Sequence, residues 1–313
     1  MNKVITTLMV AGSLLVGPLS ATAGEIAVIV KTTNSNFWQN VNKGANAAIA
    51  GQKEHTITFN GPASESAVAD QVNLVENAIN RGVSAIVLAP SDPDALSPVV
   101  KRAYESGIPV AIIDSALGEG AKGTYQTFLS TDNKAAGETA AKLMIDSVGQ
   151  TGKVAVMSYV AGVGSEIGRV GGFIDYLKAN SKLEVVGPFY SQSQMAMALN
   201  QTTDILAANT DLVGIYGANE PTAVGMGRAL VQAGKAGSLT AIGFDGNQDL
   251  QAFVRDGTLK ATAVQGSFQM GELGVQAMLD MLDDKKIESF IDTGVVMVTK
   301  ENIDSDVAKN VLY

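Results

Sequence analysis

Short runs rich in β-branched residues alternate, along almost the whole chain, with longer segments whose apolar residues recur at helical spacing. No other feature constrains the fold as much, because strand, helix and strand in succession are the unit from which parallel sheets are built. The runs fall at 26–30, 56–59, 85–88, 110–113, 153–158, 183–188, 212–216, 239–244 and 260–264. Helical spacing fills 36–50, 64–80, 94–106, 133–148, 165–179, 195–208, 220–233 and 268–282. Several runs are apolar throughout, as expected of strands covered by helices on both faces. The alternation begins anew after Ser130-Thr131-Asp132, which predicts an α/β protein of two similar doubly wound parallel-sheet lobes.

The first residues read differently. Lys3 gives a short positive start, Val4 to Leu19 is a nearly unbroken apolar run without an acidic residue, and Ala21-Thr22-Ala23 has the small-x-small pattern of a signal peptidase site. The run is short for a membrane span. The expectation is a signal peptide over 1–23, cleaved near Ala23, and a soluble exported protein that begins near Gly24. Roughly 290 residues then remain, more than one core usually serves. The chain has no cysteine, so it has no lipid-attachment cysteine and no disulfide, and the packed core itself must hold the fold. With 22 Lys and Arg against 31 Asp and Glu, and no basic cluster, nucleic acid is excluded as a partner. The single histidine, His55, precedes the strand at 56–59 as an edge or surface residue, and no metal site is expected.

Polar residues fall at the ends of the predicted strands. Lys31 follows the first, Asp114 the fourth, and Asp245 the run Ala-Ile-Gly-Phe; Gln265 follows Ala-Thr-Ala-Val, and Asn219 lies just past 212–216. Each alone would be an ordinary turn or helix-cap residue. In open α/β sheets, however, ligands bind beyond the carboxyl ends of the strands. Residues so placed in both halves of the chain point to a ligand held between two lobes.

These segments carry a family resemblance over essentially the whole mature chain. Lys31-Thr32-Thr33-Asn34-Ser35-Asn36-Phe37-Trp38, Gly107-Ile108-Pro109-Val110 leading to Asp114, Ser130-Thr131-Asp132-Asn133, Arg169-Val170-Gly171-Gly172-Phe173, Tyr216-Gly217-Ala218-Asn219-Glu220, Gly243-Phe244-Asp245-Gly246 and Ala263-Val264-Gln265 occur in that order. Together they resemble type I periplasmic sugar-binding proteins, the ribose- and allose-binding kind above all. The resemblance implies lobes joined by a three-segment hinge near 130–132, 265–266 and 294–296. The division would be 24–130 with 266–294, and 131–265 with 295–313. It also implies a cleft lined by Lys31, Phe37, Trp38, Asp114, Arg169, Asn219, Asp245 and Gln265. Ser35, Ser115 and Ser193 stand where such proteins place other binding residues. As partners it implies a small neutral sugar or polyol, the membrane permease of an ABC importer and, as a further partner, a chemoreceptor. The carrier is expected to be a periplasmic monomer without cofactor.

A monosaccharide offers hydroxyls that donate and accept, together with C–H faces. Asp, Arg and Lys suit the hydroxyls, because charge-assisted hydrogen bonds are about twice as strong as neutral ones. Trp38, the single tryptophan, and Phe37 suit the faces, and a place in the core is the other reading of either ring. Ribose and allose receptors commonly carry Asn-Pro where this chain has Ser35-Asn36, and a charged residue where it has Ser115. Their second stacking aromatic has no match in Tyr190-Ser191-Gln192-Ser193-Gln194-Met195, where Ser193 is the nearest position. Gly162 to Gly168 only superficially matches a dinucleotide fingerprint. Asp92-Pro93-Asp94 and Asp283-Asp284 supply too few oxygens for calcium. No Ser-His-Asp or Gly-x-Ser-x-Gly arrangement exists. The functional alternatives are a glycosidase built on the two cleft aspartates and a chemoreceptor module without a transport role.

Overall fold

The computed structural model describes residues 24–313, and the signal peptide expected at 1–23 lies outside the described residues. In chain order, β1 (Gly24–Ile29), α1 (Asn36–Ala48), β2 (His55–Asn60), α2 (Val68–Arg81), β3 (Ala85–Leu88), α3 (Ser97–Glu105), β4 (Val110–Ile113) and β5 (Thr127–Ser130) build most of one lobe. The second lobe takes α4 (Asn133–Val148), β6 (Thr151–Ser158), α5 (Gly164–Asn180), β7 (Lys182–Tyr190), α6 (Met195–Ala208), β8 (Leu212–Gly217), α7 (Glu220–Gln232), β9 (Thr240–Phe244), α8 (Gln248–Asp256) and β10 (Ala261–Gln265). Then α9 (Ser267–Leu282) and β11 (Phe290–Asp292) return to the first, and β12 (Val295–Thr299) and α10 (Asp306–Lys309) to the second.

Each sheet has six strands, in the orders β11-β5-β4-β3-β1-β2 and β12-β10-β9-β8-β6-β7. Apart from the outermost strand, both follow the same 2-1-3-4-5 winding, in which the order reverses beside the first strand of each lobe. All pairs are parallel except β10 with β12, which is antiparallel. Successive residues of β1 feed opposite faces: Ile26 and Val28 pack with Trp38, Val41 and Met270, whereas Ala27 and Ile29 pack with Val75 and Val100. The sheet is thus covered twice, which explains why its strands read as unbroken apolar runs.

Two helices start later than their periodicity suggests, and local hydrogen bonds account for both. Before α2, Ala67 N–H donates to the Ser64 carbonyl, and the Ser64 and Ser66 hydroxyls bond each other, which closes a turn where a helix was expected. Before α3, the Asp92 carboxylate accepts from the N–H groups of Asp94 and Ala95. Both are side-chain turns that compete with helix.

The chain passes between the sheets at Thr131–Asp132, at Gly266 and at Thr293–Gly294. These passages lie side by side, since Thr131 Oγ1 donates to Gly294 O (3.0 Å) and Thr293 N–H to Ser130 O (3.1 Å). Gly266 is held as closely: a Cβ there would sit 2.4 Å from Thr293 O.

Candidate functional site

Both sheets present the carboxyl ends of their strands to the seam between the lobes. Lys31 follows β1 and Tyr159 follows β6, the matching strand of the second lobe. Asp114 follows β4 and Asp245 follows β9, again matching places. Asp114 and Asp245 have positive φ, 64° and 79°, and so do Gln192 and Ser193 at 56° and 54°. Left-handed backbone in non-glycine residues persists only where the surroundings enforce it. Here it directs the Asp114 and Asp245 side chains to the seam and Ser193 to Glu65 across it.

At the seam is a small cavity of about 20 Å³. Ser35, Phe37, Trp38 and Glu65 line it from the first lobe with Lys31 and Asp114; Tyr159, Ser165, Arg169, Asn219, Glu220, Pro221, Asp245 and Gln265 line it from the second. The space suits about one water-sized sphere, because polar groups of the two lobes reach across it to one another. Lys31 Nζ donates to Asp114 Oδ2 and Ser115 Oγ, both at 2.6 Å, and at 3.4 Å to Ser165 Oγ of the other lobe. Ser165 N–H donates back to Ser115 Oγ at 3.2 Å. Nearer Trp38, the indole Nε1–H and the Ser193 hydroxyl donate to the two oxygens of Glu65, one from each lobe. Asn219 Nδ2 in turn donates to Ser193 Oγ at 3.0 Å.

Arg169 is fixed on every side. Its guanidinium donates to Asn133 Oδ1, to the Ala218 carbonyl and to Gln265 Oε1, and lies 3.6 Å from the centre of the Phe244 ring. Its helix, α5, packs closely on α4, for a Cβ at Gly137 would stand 2.1 Å from Arg169 O. Only glycine permits that approach.

Burial and charge set the protonation of the carboxyls. Burial pushes the Asp114 carboxyl up, but Lys31 and Arg169, with hydrogen bonds from Lys31 and Ser115, outweigh it and hold the group below its ordinary value. Asp245 goes the other way: burial raises it to about 6 against the pull of Arg169 and the hydrogen bond from Gln265. Glu220 rises to about 7 through burial and the neighbouring Asp245 charge, countered by hydrogen bonds from Tyr313 and the start of α1.

Of the residues expected from sequence, Lys31, Ser35, Phe37, Trp38, Asp114, Arg169, Asn219, Asp245 and Gln265 come together around this cavity. Ser115 and Ser193 stand behind it, bonded to Lys31 and to Glu65 and Asn219. Phe37 and Trp38 line the cavity and also belong to the first lobe's core. Ser193 stands at the position of the second stacking aromatic, and an aromatic from elsewhere in the second lobe, Tyr159, lines the cavity. Sequence reading also passed over Glu65, Ser165, Glu220 and Pro221. Tyr159 directly follows a predicted strand, so the rule that found Lys31 applies to it equally. Glu65 carries no such signal, because it sits in the turn before α2.

Residues 26–286 match the family described as a periplasmic binding protein domain. The chain belongs to this periplasmic binding protein family. A crystal structure of an ABC transporter solute-binding protein from Agrobacterium vitis, with bound D-fucose, is 74% identical, with a TM-score of 0.92 over 93% of this chain and 100% of that one. The D-allose-binding periplasmic protein of Escherichia coli K12 is 30% identical over 270 residues, 85% of this chain and 86% of its own length. A xylitol-binding protein of Mycolicibacterium smegmatis is 26% identical over 258 residues, 80% of this chain and 71% of its own. The type I binding-protein fold of these relatives, two wound sheets facing across a seam, is the architecture described above.

Proposed function

We propose that this protein is the solute-binding component of an ABC importer, which takes a neutral monosaccharide or polyol into the interlobe cavity in the periplasm and hands it to the membrane permease. Its work is capture and release without chemistry. The observation that carries the reading is the cavity itself: charged and hydroxyl groups from both lobes converge at the strand ends, and in the closed cleft they satisfy one another. A sugar or polyol has the hydroxyls to take over those bonds as the side chains turn toward it. The relatives bound to D-fucose, or named for D-allose and xylitol, support a neutral solute of five or six carbons.

The binding residues in this reading are Lys31, Ser35, Phe37, Trp38, Asp114, Arg169, Asn219, Asp245 and Gln265, with Ser115 and Ser193 orienting them. The moving bodies are 24–130 with 266–294 and 131–265 with 295–313, in a monomer released by cleavage near Ala23. The glycosidase and chemoreceptor readings gain no support from the relatives named above.

The test is to denature the purified protein, identify any released solute by mass spectrometry, and screen pentoses, hexoses and polyols by melting shift. A shift with D-fucose or a related neutral sugar is expected. No shift with any neutral sugar or polyol, alongside one with an amino acid or an anion, would overturn the reading.

A further inference from the structure

Glu220, in the first turn of α7, is 5% exposed and lies on the seam. Its Oε1 accepts the N–H of Asn36, the first residue of α1 in the other lobe, at 3.0 Å. Its Oε2 accepts the Tyr313 hydroxyl at 2.9 Å. Tyr313 straddles the lobes. Its backbone is tied to the second, since its N–H donates to Gly246 O (3.2 Å) and its carbonyl accepts from Gln251 Nε2 (3.2 Å). The preceding Leu312 packs in the second lobe's core, yet the Tyr313 ring packs against the first lobe's cluster of Phe37, Trp38 and Val41.

We propose that Glu220 and Tyr313 form a latch that holds the cleft closed and sets how long a captured sugar stays, acting as positioning residues through their bonds to each other and to Asn36. Opening the lobes parts Asn36 from Glu220 and the Tyr313 ring from the first-lobe cluster, so these contacts belong to the closed state alone. Whatever stabilises only the closed state raises its population and slows opening. The α1 end is suited to the purpose. Ser35 already caps Trp38 N–H, and the Asn36 N–H, one of the donors a helix leaves unpaired, is satisfied from the opposite lobe. A proline at this position, as in the Asn-Pro of the ribose and allose type, has no N–H to give.

This inference rests on the sugar-binding reading, and the experiment separates the two. The chain lacks cysteine, so Lys53→Cys and Lys235→Cys, at exposed positions in opposite lobes, give a unique spin-label pair. Electron–electron distance measurements then report the closed fraction with and without D-fucose, and stopped-flow Trp38 fluorescence reports D-fucose release. Asn36→Pro deletes the donor alone: proline is favoured at the first helical position, and Ser35, at φ −109° and ψ 154°, already has the extended backbone required before it. Tyr313→Phe removes the hydroxyl. Each is expected to lower the closed fraction and to speed release about 10- to 150-fold, the span for one hydrogen bond to a carboxylate. In a Glu220→Ala background, neither should add to the effect. A structural role alone would move the melting temperature and leave the closed fraction of folded protein unchanged, and that result overturns the latch. So does a label pair that shows no closed population in the unsubstituted protein under any condition. If the closed fraction responds to the substitutions but D-fucose never binds, the latch stands and the choice of sugar is wrong.

Discussion

Asp114 and Asp245 occupy equivalent places in the two sheets. Each follows the fourth strand of its lobe in left-handed conformation, each donates its N–H to the neighbouring strand (Leu129 O at 2.9 Å, Ala263 O at 2.7 Å), and each carbonyl accepts a hydroxyl, from Ser130 and Thr262. The backbone frame is shared, whereas the electrostatics are opposite: Asp114 is held ionised by Lys31, and Asp245 is pushed up to about 6.

Truncating a buried charged contact leaves its partner unpaired. Arg169→Ala and Asp114→Ala should each weaken D-fucose binding by about 2–5 kcal/mol in calorimetry. Because alanine is strained at the φ of 64°, Asp114→Asn serves as the control. If Asp114→Asn binds as tightly as the unsubstituted protein, the carboxylate charge has no part in recognition.

Two cations, Lys31 and Arg169, face four carboxyls, Asp114, Asp245, Glu65 and Glu220, around the cavity. Lys31, Arg169, Asp114 and Asp245 alone sum to zero; with Glu65 and Glu220 included, the formal charge is negative. An anionic solute would add unpaired charge to a closed site, at a cost of several kcal/mol. Calorimetry should therefore find its tightest partner among uncharged sugars and polyols. A uronic acid or sugar phosphate binding more tightly than all of them contradicts this.

Trp38 is tied to Glu65, whose other oxygen holds Ser193 of the opposite lobe. Its fluorescence should change as the cleft binds D-fucose. Because the ring also fills the first lobe's core, Trp38→Ala should cost stability as well as affinity, by about 3–5 kcal/mol in urea unfolding. A stability loss under 1 kcal/mol would mean that the ring's packing matters little.

Glu220 gives the protein a pH dependence of definite sign. Its folded value, about 7, lies above the ordinary 4.5, so the stability it contributes is present in full below 4.5 and is lost as the pH climbs through 7. Asp245 acts in the same direction through about 6, whereas Asp114, held below its ordinary value, is ionised throughout this range. Between pH 5 and 8 the unsubstituted protein should lose stability relative to Glu220→Gln, by at most about 3 kcal/mol. Parallel melting curves for the two across that range would exclude the effect.

Gly137 allows the approach that seats Arg169. Gly137→Ala should push α5 from α4, destabilising the second lobe by about 1–3 kcal/mol and weakening D-fucose binding, since its Cβ would meet the Arg169 carbonyl at 2.1 Å. Unchanged affinity would show that Arg169 does not need this seat.

Periodicity located β3, β4, α4 and α6 to the residue, because a doubly covered strand and a long amphipathic helix each leave a sustained pattern. It missed β5, β11 and β12, which are short and sit at the hinge or at sheet edges. It missed α8 as well, nine residues with few buried apolar positions. In the site, residues directly after strands were legible because the winding of the chain puts strand ends at the seam. Glu65 was not: its part in the cavity depends on a turn in one lobe meeting a left-handed Ser193 in the other, and neither segment implies its partner.

The side-by-side passages at Thr131–Asp132, Gly266 and Thr293–Gly294 leave the lobes little freedom to slide or shear. In the proposed hinge motion, what remains is rotation of one lobe against the other, with the angle between the halves as its coordinate. A partner that grips both lobes would read that angle. Such a partner would register that the cleft is full without registering what fills it, and any solute that permits the same angle would be passed on as genuine. All chemical discrimination must therefore be finished before the rotation is.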